Sequence, residues 1–118
     1  MNDDRRALDL VGIAARAGHV VFGTERVREA VRTGVVRLVI VASDASANSK
    51  DKLVPMLEKR GVPVVERFDR DRLGAAIGRA PVSAVGVTES GIATRLREIA
   101  GEAAIGATAP RRDGSLDG

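Results

Sequence analysis

The amino-acid sequence predicts an α/β fold, a three-layer α-β-α sandwich with a four-stranded mixed sheet between two layers of helices. Helical and strand periodicities alternate along the chain, and the run at 36–42 is apolar except for Arg37, as in a central strand covered on both faces. Phe22 and Phe68 are the only aromatic residues, so the core must be built from Val, Leu, Ile and Ala. A chain of 118 residues with 44% hydrophobic residues suits one core rather than two.

The first quarter of the chain carries two predicted helices joined by a short apolar run. The first helix is predicted over residues 5–17, where apolar residues recur at helical spacing, and Gly18 follows as a stop signal. The apolar run occupies residues 19–22. Thr24 is then the predicted N-cap of a short amphipathic helix that Gly34 closes, because Thr favours the N-cap position and Gly the residue after a helix.

The rest of the chain alternates between predicted strands and helices. Asp69 and Thr88 are the predicted N-caps of the last two helices, since short polar side chains accept hydrogen bonds from the first amides of a helix. Ile92, Leu96 and Ile99 recur at i, i+4 and i+7, the spacing of a helix buried on one side. The predicted order is a strand at 36–42, a helix at 46–60, a strand at 63–66, a helix at 69–77, a strand at 82–87 and a final helix.

Residues 1–101 are predicted to form a single domain, followed by a disordered tail at 102–118. The hydrophobic pattern is lost from Gly101 onward, and residues 106–118 carry Gly, Pro, Ser and balanced charge with few apolar residues. Residues 1–6 are charged and no long apolar run follows them, so we expect a cytoplasmic protein without signal peptide or membrane span.

The charge and cysteine content narrow the possible functions. The net charge is +3, and 16 of the 19 cationic residues are Arg, which suits phosphate and guanine recognition because guanidinium makes bidentate contacts. A GC-rich codon preference would also produce this Arg content. The absence of Cys excludes disulfides, thiolate metal sites and cysteine nucleophiles. With two aromatic residues, an RNA site built on several stacking rings is also excluded.

Catalysis finds little support in the sequence. Asp44 follows a strand, as a phosphoacceptor would, but every Lys lies within residues 50–59 and no further carboxylates are placed to hold Mg²⁺, so a turn residue is the preferred interpretation. His19 is the only histidine and cannot form a metal cluster. Gly74 and Gly78 match no phosphate-binding motif. We therefore expect no enzymatic activity, no cofactor and no metal.

Several segments, in this order and spacing, resemble the ribosomal protein seven-Ae/thirty-e-like family of kink-turn RNA binders. They are Gly-Thr-Glu-Arg-Val-Arg-Glu-Ala-Val at 23–31, Arg-Leu-Val-Ile-Val-Ala-Ser-Asp at 37–44, Gly-Val-Pro-Val at 61–64 and Arg-Leu-Gly-Ala-Ala-Ile-Gly at 72–78. The Ala-Gly-His segment at 17–19, Asn-Ser-Lys at 48–50 and Val-Gly-Val-Thr at 85–88 are most similar to the bacterial YlxQ-like branch. The resemblance covers roughly residues 8–100.

The resemblance implies an RNA site made of two adjacent features. The first is the start of the second helix, whose unpaired amides favour phosphate, and the second is the loop between the fourth helix and the last strand, whose apolar residues pack on extruded bases. Arg70, which precedes that loop in the chain, corresponds to a basic position of the family pattern. The candidate RNA-binding residues are Gly23, Thr24, Glu25, Arg26, Arg28, Arg70, Ile77, Arg79, Ala80 and Pro81.

The start of the second helix departs from the family pattern. Glu25-Arg26 stands where the family typically has Asn-Glu, and Glu29 stands where a Lys is expected. One residue is about 100° of helix rotation, so Glu25 cannot simply inherit the guanine contact of the family glutamate. Arg26 and Arg28 are candidates for replacement contacts.

The expected function is that of a small, non-catalytic, monomeric RNA-binding protein that recognises a kink-turn or similar bent RNA, ribosomal RNA included. Three alternatives stay open. The protein could be an interaction module that kept the fold and lost the RNA site, or a substrate-recognition domain related to those attached to RNA methyltransferases. Locally, Glu25, Arg28, Glu29 and Arg32 would also fit a solvated helix face with i, i+3 ion pairs, and Ile77, Ala80 and Pro81 would fit a tight turn.

Overall fold

A computed structural model of the protein describes residues 2–100 and 104–105. Helices and strands alternate in chain order as the sequence predicts, and five short strands separate or follow five helices. The elements are α1 (Asn2–Arg16), β1 (Val20–Phe22), α2 (Thr24–Arg32), β2 (Leu38–Val41), α3 (Ala47–Arg60), β3 (Val64–Glu66), α4 (Arg70–Ala76), β4 (Ala84–Val87), α5 (Ser90–Ala100) and β5 (Ala104–Ile105).

The strands form one mixed sheet in the order β1-β4-β2-β3-β5. β2 runs parallel to β3, with Val39 opposite Val64, and antiparallel to β4, with Val39 opposite Gly86. β1 pairs antiparallel with β4 at the edge, so that Phe22 lies opposite Val85. The predicted mixed sheet of four strands is confirmed over β1 to β4, and β5 extends it by two residues.

β2 is the central strand, as its apolar sequence predicts, and all four of its residues are buried. Leu38 and Ile40 border a small apolar cavity that Ala7 of α1 and Leu96 of α5 also line. Because side chains alternate across a strand, Val39 and Val41 face the opposite helical layer.

The two helical layers contain different numbers of helices. α1 packs against α4 and α5 in one layer, and α2 packs against α3 in the other. The predicted α-β-α sandwich is therefore confirmed.

The helix starts differ from the predictions at two of three positions. Asp69 is the N-cap of α4 as predicted, and its carboxylate accepts a hydrogen bond from the Arg72 amide at 2.8 Å. Thr24 is not an N-cap, because Gly23 occupies that position and Thr24 is the first residue of α2. Thr88 is not one either, because Glu89 accepts the hydrogen bond from the Ile92 amide, at 2.7 Å. In both cases the residue next to the predicted one is the N-cap: Gly23 instead of Thr24, and Glu89 instead of Thr88.

The predicted disordered tail at 102–118 lies outside the described residues except for Ala104–Ile105. These two residues were assigned to the tail, whereas the structure pairs them antiparallel with Val64 and Val65 of β3. A two-residue strand of this kind carries no periodicity that a sequence pattern could reveal.

Candidate functional site

The start of α2 is shaped by Gly23. Its φ of 94° lies in the region that only glycine adopts without strain, and the chain turns there from β1 directly into the helix. The Gly23 amide donates to the Ala84 carbonyl at 3.0 Å, which ties the turn to the first residue of β4. No side chain caps this helix. The first-turn amides, from Thr24 to Arg26, are therefore oriented outward at the positive end of the helix dipole, an arrangement that favours an anion.

One side of the α2 start contacts α3 through polar groups. The Thr24 hydroxyl donates to Ser49 Oγ at 3.2 Å. Glu25 accepts hydrogen bonds from Lys52 at 2.8 Å and from Arg28 at 3.3 Å. We call these five residues the α3 side of the helix.

Both cations on the α3 side are paired with the Glu25 carboxylate. The Lys52 ammonium lowers the pKa of Glu25 from its ordinary value, and the Arg28 guanidinium adds to the effect. Glu25 is 63% exposed and the Arg28 side chain 35% exposed, so both still border solvent. The i, i+3 pairing that the sequence left open for Arg28 is present, as is the pair Arg32–Glu29 at 2.8 Å.

The opposite side of the α2 start centres on Phe22, the last residue of β1. The Arg79 guanidinium carbon lies 4.9 Å from the centroid of the Phe22 ring, and that of Arg26 lies 5.7 Å from it. Both distances fall in the range of cation–π attraction. Within residues 2–100, neither arginine is within ion-pair distance of a carboxylate. We call Phe22, Arg26 and Arg79 the Phe22 side.

The loop at 77–83 reaches Phe22 because it is packed tightly on α4. Gly74 lies so close to the loop that an added Cβ would be 2.2 Å from the Ala80 carbonyl oxygen and 2.9 Å from Pro81 Cα. The Arg79 amide donates to the Gly74 carbonyl at 2.8 Å. Ile77 is half-buried, whereas Ala80 and Pro81 are exposed. The loop thus presents two small apolar residues beside the Arg79 side chain.

Arg70 lies behind this loop and is engaged with Asp44. Asp44 accepts a hydrogen bond from the Arg70 amide at 2.9 Å, and its second carboxylate oxygen lies 3.6 Å from Arg70 Nε. The Arg70 carbonyl accepts from the Val82 amide at 3.2 Å. Asp44 therefore joins the turn after β2 to the start of α4, which agrees with its interpretation as a turn residue.

The structure brings most of the predicted site residues to one region, and it adds a residue that the sequence analysis did not propose. Gly23 and Arg26 lie beside Phe22, and so does Arg79, whose loop also carries Ile77, Ala80 and Pro81. Thr24, Glu25 and Arg28 lie toward α3, and Arg70 lies toward Asp44. Sequence patterns placed Phe22 in the apolar run at 19–22 and gave it no role in the site. Its position one helical turn before Arg26 and beside Gly23 was the available signal.

Other groups in the described ranges form no metal site. No three His, Cys, Asp or Glu side chains converge so as to hold an ion in residues 2–100. His19 is half-buried, and its carbonyl accepts from the Thr88 amide at 2.9 Å. None of the described helices is both long enough and apolar enough to cross a membrane.

A groove runs between α1 and α4 on the other helical layer. It has a volume of about 640 Å³ and is lined by Leu8, Gly12, Ile13, Arg16, Arg72 and Ala76, among others. Ile13 is 49% exposed there. A second cavity of about 310 Å³ shares Arg16 with this groove and reaches Ile77 and Gly78 of the loop.

The fold and this site define a class of small α-β-α domains with a glycine-initiated helix beside a loop that precedes an antiparallel strand. The sequence profile of the Ribosomal protein L7Ae/L30e/S12e/Gadd45 family matches residues 5–97, and the chain belongs to that family. The resemblance drawn from the sequence is thereby confirmed.

Individual relatives support the same assignment. The chain is 33% identical to the RNA-binding protein YlxQ of Enterococcus faecium over 101 residues, covering 84% of this chain and 97% of that one. It is 32% identical to the large ribosomal subunit protein eL8 of Thermoplasma volcanium, covering 74% of this chain and 73% of the relative. A solved Bacillus halodurans protein of unknown function superimposes with a TM-score of 0.77 at 37% identity, covering 80% of this chain and 95% of that one. The Giardia lamblia 15.5kD RNA binding protein shares the fold, with a TM-score of 0.73 at 24% identity and coverage of 87% and 88%.

Proposed function

We propose that this protein is a small, non-catalytic RNA-binding protein whose site consists of the α2 start and the loop at 77–83. One observation carries the proposal: Arg26 and Arg79, without a carboxylate partner in residues 2–100, converge beside the uncapped amides of α2. Unpaired guanidinium groups next to a helix N-terminus suit the phosphates and base edges of a nucleic acid. The names of the YlxQ and eL8 relatives support the same function.

The RNA we propose is a kink-turn or another sharply bent structured RNA, bound by one copy of the protein. Within this proposal, Arg26 and Arg79 contact base edges or phosphate, and Ala80 and Pro81 pack on unstacked bases. Glu25, Arg28 and Arg70 already have protein partners, and they act mainly by holding the site in shape. The eL8 relative makes ribosomal RNA a reasonable first source of the ligand.

The first test compares two RNAs of equal length, a kink-turn and an unbent duplex, in a gel-shift assay at physiological salt. We expect tighter binding of the kink-turn, because the site contacts shape and exposed bases rather than a regular groove. Equal affinity for the two RNAs would leave only general charge attraction. Absence of binding to either would contradict the proposed function.

The second test locates the site with two double variants of equal charge. Replacing Arg26 and Arg79 by Ala should lower the affinity for the kink-turn by about 1–3 kcal/mol for each arginine that reads a base, and by less for one that contacts only phosphate. Replacing Arg95 and Arg97, two exposed residues of α5, should change it little. A thermal melt of each variant checks folding. The same loss in both folded variants would place the RNA elsewhere.

A protein-interaction module on the same fold is the second candidate, and the groove between α1 and α4 favours it. Ile13 is exposed there between Arg16 and the apolar residues of α4. Replacing Ile13 by Glu would leave RNA binding intact if the groove has only this second role. Loss of kink-turn binding in a folded Ile13→Glu variant would contradict a separation of the two surfaces.

A further inference from the structure

The proposed RNA contacts give no role to Phe22, although it lies at the centre of the site. It is half-buried at the end of β1, and its ring lies within 6 Å of two guanidinium groups that come from distant parts of the chain, Arg26 on α2 and Arg79 in the loop. Long arginine side chains on a protein surface normally sample many rotamers, and ordering them costs conformational entropy. Because both arginines contact one aromatic ring in the free protein, less conformational entropy is lost when a ligand binds to them.

Two guanidinium groups of the same charge meet at the Phe22 ring. Arg28, Arg32, Arg67 and Arg70 each lie within ion-pair distance of a carboxylate. Arg26 and Arg79, like several other arginines in residues 2–100, do not, but these two share one aromatic ring. Two like charges near one ring repel each other, and the attraction of each to the ring quadrupole opposes that repulsion. An approaching anion would relieve the repulsion, so the pair is better suited to binding than to stabilising the fold.

The backbone fixes the position of the ring. Phe22 is paired with Val85 in the β1–β4 ladder, and the next residue, Gly23, donates to Ala84. Gly23 then starts α2, which carries Arg26 one turn later. Arg79 is held by the hydrogen bond that its backbone amide donates to the Gly74 carbonyl. The ring therefore stands at the junction of the two segments that carry the proposed site.

We propose that Phe22 is a positioning residue for RNA binding, one that holds Arg26 and Arg79 together as a two-arginine clamp for the RNA backbone or an exposed base edge. This inference rests on the proposed RNA-binding function. Phe22 itself need not touch the RNA. Its contribution is to keep both guanidinium groups close to the α2 amides, so that less ordering remains to be done when the RNA binds.

The test uses variants of the full chain that keep its net charge. Phe22→Leu retains apolar bulk and removes the aromatic ring, whereas Phe22→Tyr retains the ring. From two cation–π contacts at an exposed site, we expect Phe22→Leu to weaken kink-turn binding about fivefold to thirtyfold and Phe22→Tyr to bind like the parent protein. Thermal melts of both variants establish that they are folded.

A double-mutant cycle separates positioning from general structural damage. In the background of Arg26→Ala and Arg79→Ala, Phe22→Leu should cause little further loss of affinity, because the residues through which it acts are gone. In the free protein, the NMR resonances of the Arg26 and Arg79 side chains should lose their ring-current shifts in Phe22→Leu and keep them in Phe22→Tyr.

The outcomes distinguish this inference from the function on which it rests. Parent-like affinity of Phe22→Leu, or an equal loss in both backgrounds, would overturn the positioning role while leaving RNA binding in place. Failure of the parent protein to bind the kink-turn would overturn both. If Phe22→Leu is unfolded, the inference is tested instead by the Phe22→Tyr variant and by the ring-current shifts of the parent protein. Absence of those shifts from the Arg26 and Arg79 side chains would overturn the inference.

Discussion

The α3 side and the Phe22 side of the α2 start each carry two cations, but the two sides pair them differently. On the α3 side, Lys52 and Arg28 are both paired with the Glu25 carboxylate. On the Phe22 side, two arginines share a ring with no carboxylate in the described ranges. The same helix turn thus has one side that joins two elements and another whose cations are available to a ligand. The comparison shows that the number of cations near a site is a poorer guide to ligand binding than whether those cations are paired with carboxylates.

The largest effect should come from disturbing the packing beneath the Phe22 side. In Gly74→Ala the new Cβ would lie 2.2 Å from the Ala80 carbonyl oxygen, a backbone atom that cannot move without shifting the loop. Overpacking of this kind typically costs about 1–3 kcal/mol, which outweighs the gain of about 1 kcal/mol that Ala brings over Gly in a helix. Urea unfolding should therefore show a net loss of stability, together with weaker kink-turn binding as Arg79 moves.

Gly91→Ala provides the matched control for that variant. Gly91 is also helical, but the atoms nearest to an added Cβ there belong to the Glu89 carboxylate, at 3.2 Å, a side-chain group that can shift by a few tenths of an ångström more easily than the loop backbone can. We expect a smaller change in stability and no change in RNA affinity. A Gly74→Ala protein that unfolds at the urea concentration of the parent would show that the loop is not tightly held by α4.

A smaller effect is expected from the α3 side. Thr24→Val removes the hydroxyl that bonds to Ser49 and keeps the side-chain shape, so it should cost about 0.5–1.5 kcal/mol of stability. Adding Ser49→Ala should cost little more, because both residues contribute to one hydrogen bond. RNA affinity should stay close to that of the parent. A loss of affinity as large as that of Arg26→Ala would remove the distinction between the two sides.

The smallest effect concerns the ionisation of Glu25. Its pKa is lowered from 4.5, mainly by the hydrogen bond from Lys52 and secondly by that from Arg28. Because the pKa is lower in the folded protein, the associated stability is present above pH 4.5 and is lost as the pH falls through the folded-state value. An NMR titration should place the Glu25 midpoint below 4.5.

Two charge-removing variants sharpen this test. Lys52→Gln should raise the Glu25 midpoint more than Arg28→Gln does, since Lys52 makes the stronger contact. The effect on overall stability should be small, because Glu25 is well exposed and water screens its interactions. A midpoint at 4.5 in the parent would mean that the carboxylate is not held by either cation.

Sequence patterns predicted the fold better than they predicted the contacts of the site. The apolar run around β2 identified the central strand because a strand buried on both faces has a recognisable composition. Helix starts were harder to predict, since the N-cap depends on backbone angles at one residue, such as the positive φ of Gly23. Asp69 was predicted correctly because its carboxylate reaches the amide three residues on.

The contact of Arg79 with Phe22 could not be predicted from local patterns. It depends on the antiparallel pairing of β1 with β4, which places the loop before Ala84 beside the end of β1. That pairing joins segments far apart in the chain, and no periodicity within either segment encodes it. The state of each arginine, paired or unpaired, likewise follows from the tertiary arrangement and not from its neighbours in sequence.

The short length of β1 affects the tendency of this protein to aggregate. β1 forms an edge of the sheet with only the residues Val20–Phe22, and Gly23 then turns the chain away into α2. An exposed edge can recruit a strand from a second molecule and so begin an aggregate, and longer edges are the greater hazard. Three residues are fewer than the five or six of a typical strand, so about half the usual number of backbone groups could join such a ladder. The glycine that shapes the α2 start thus also limits edge-to-edge association.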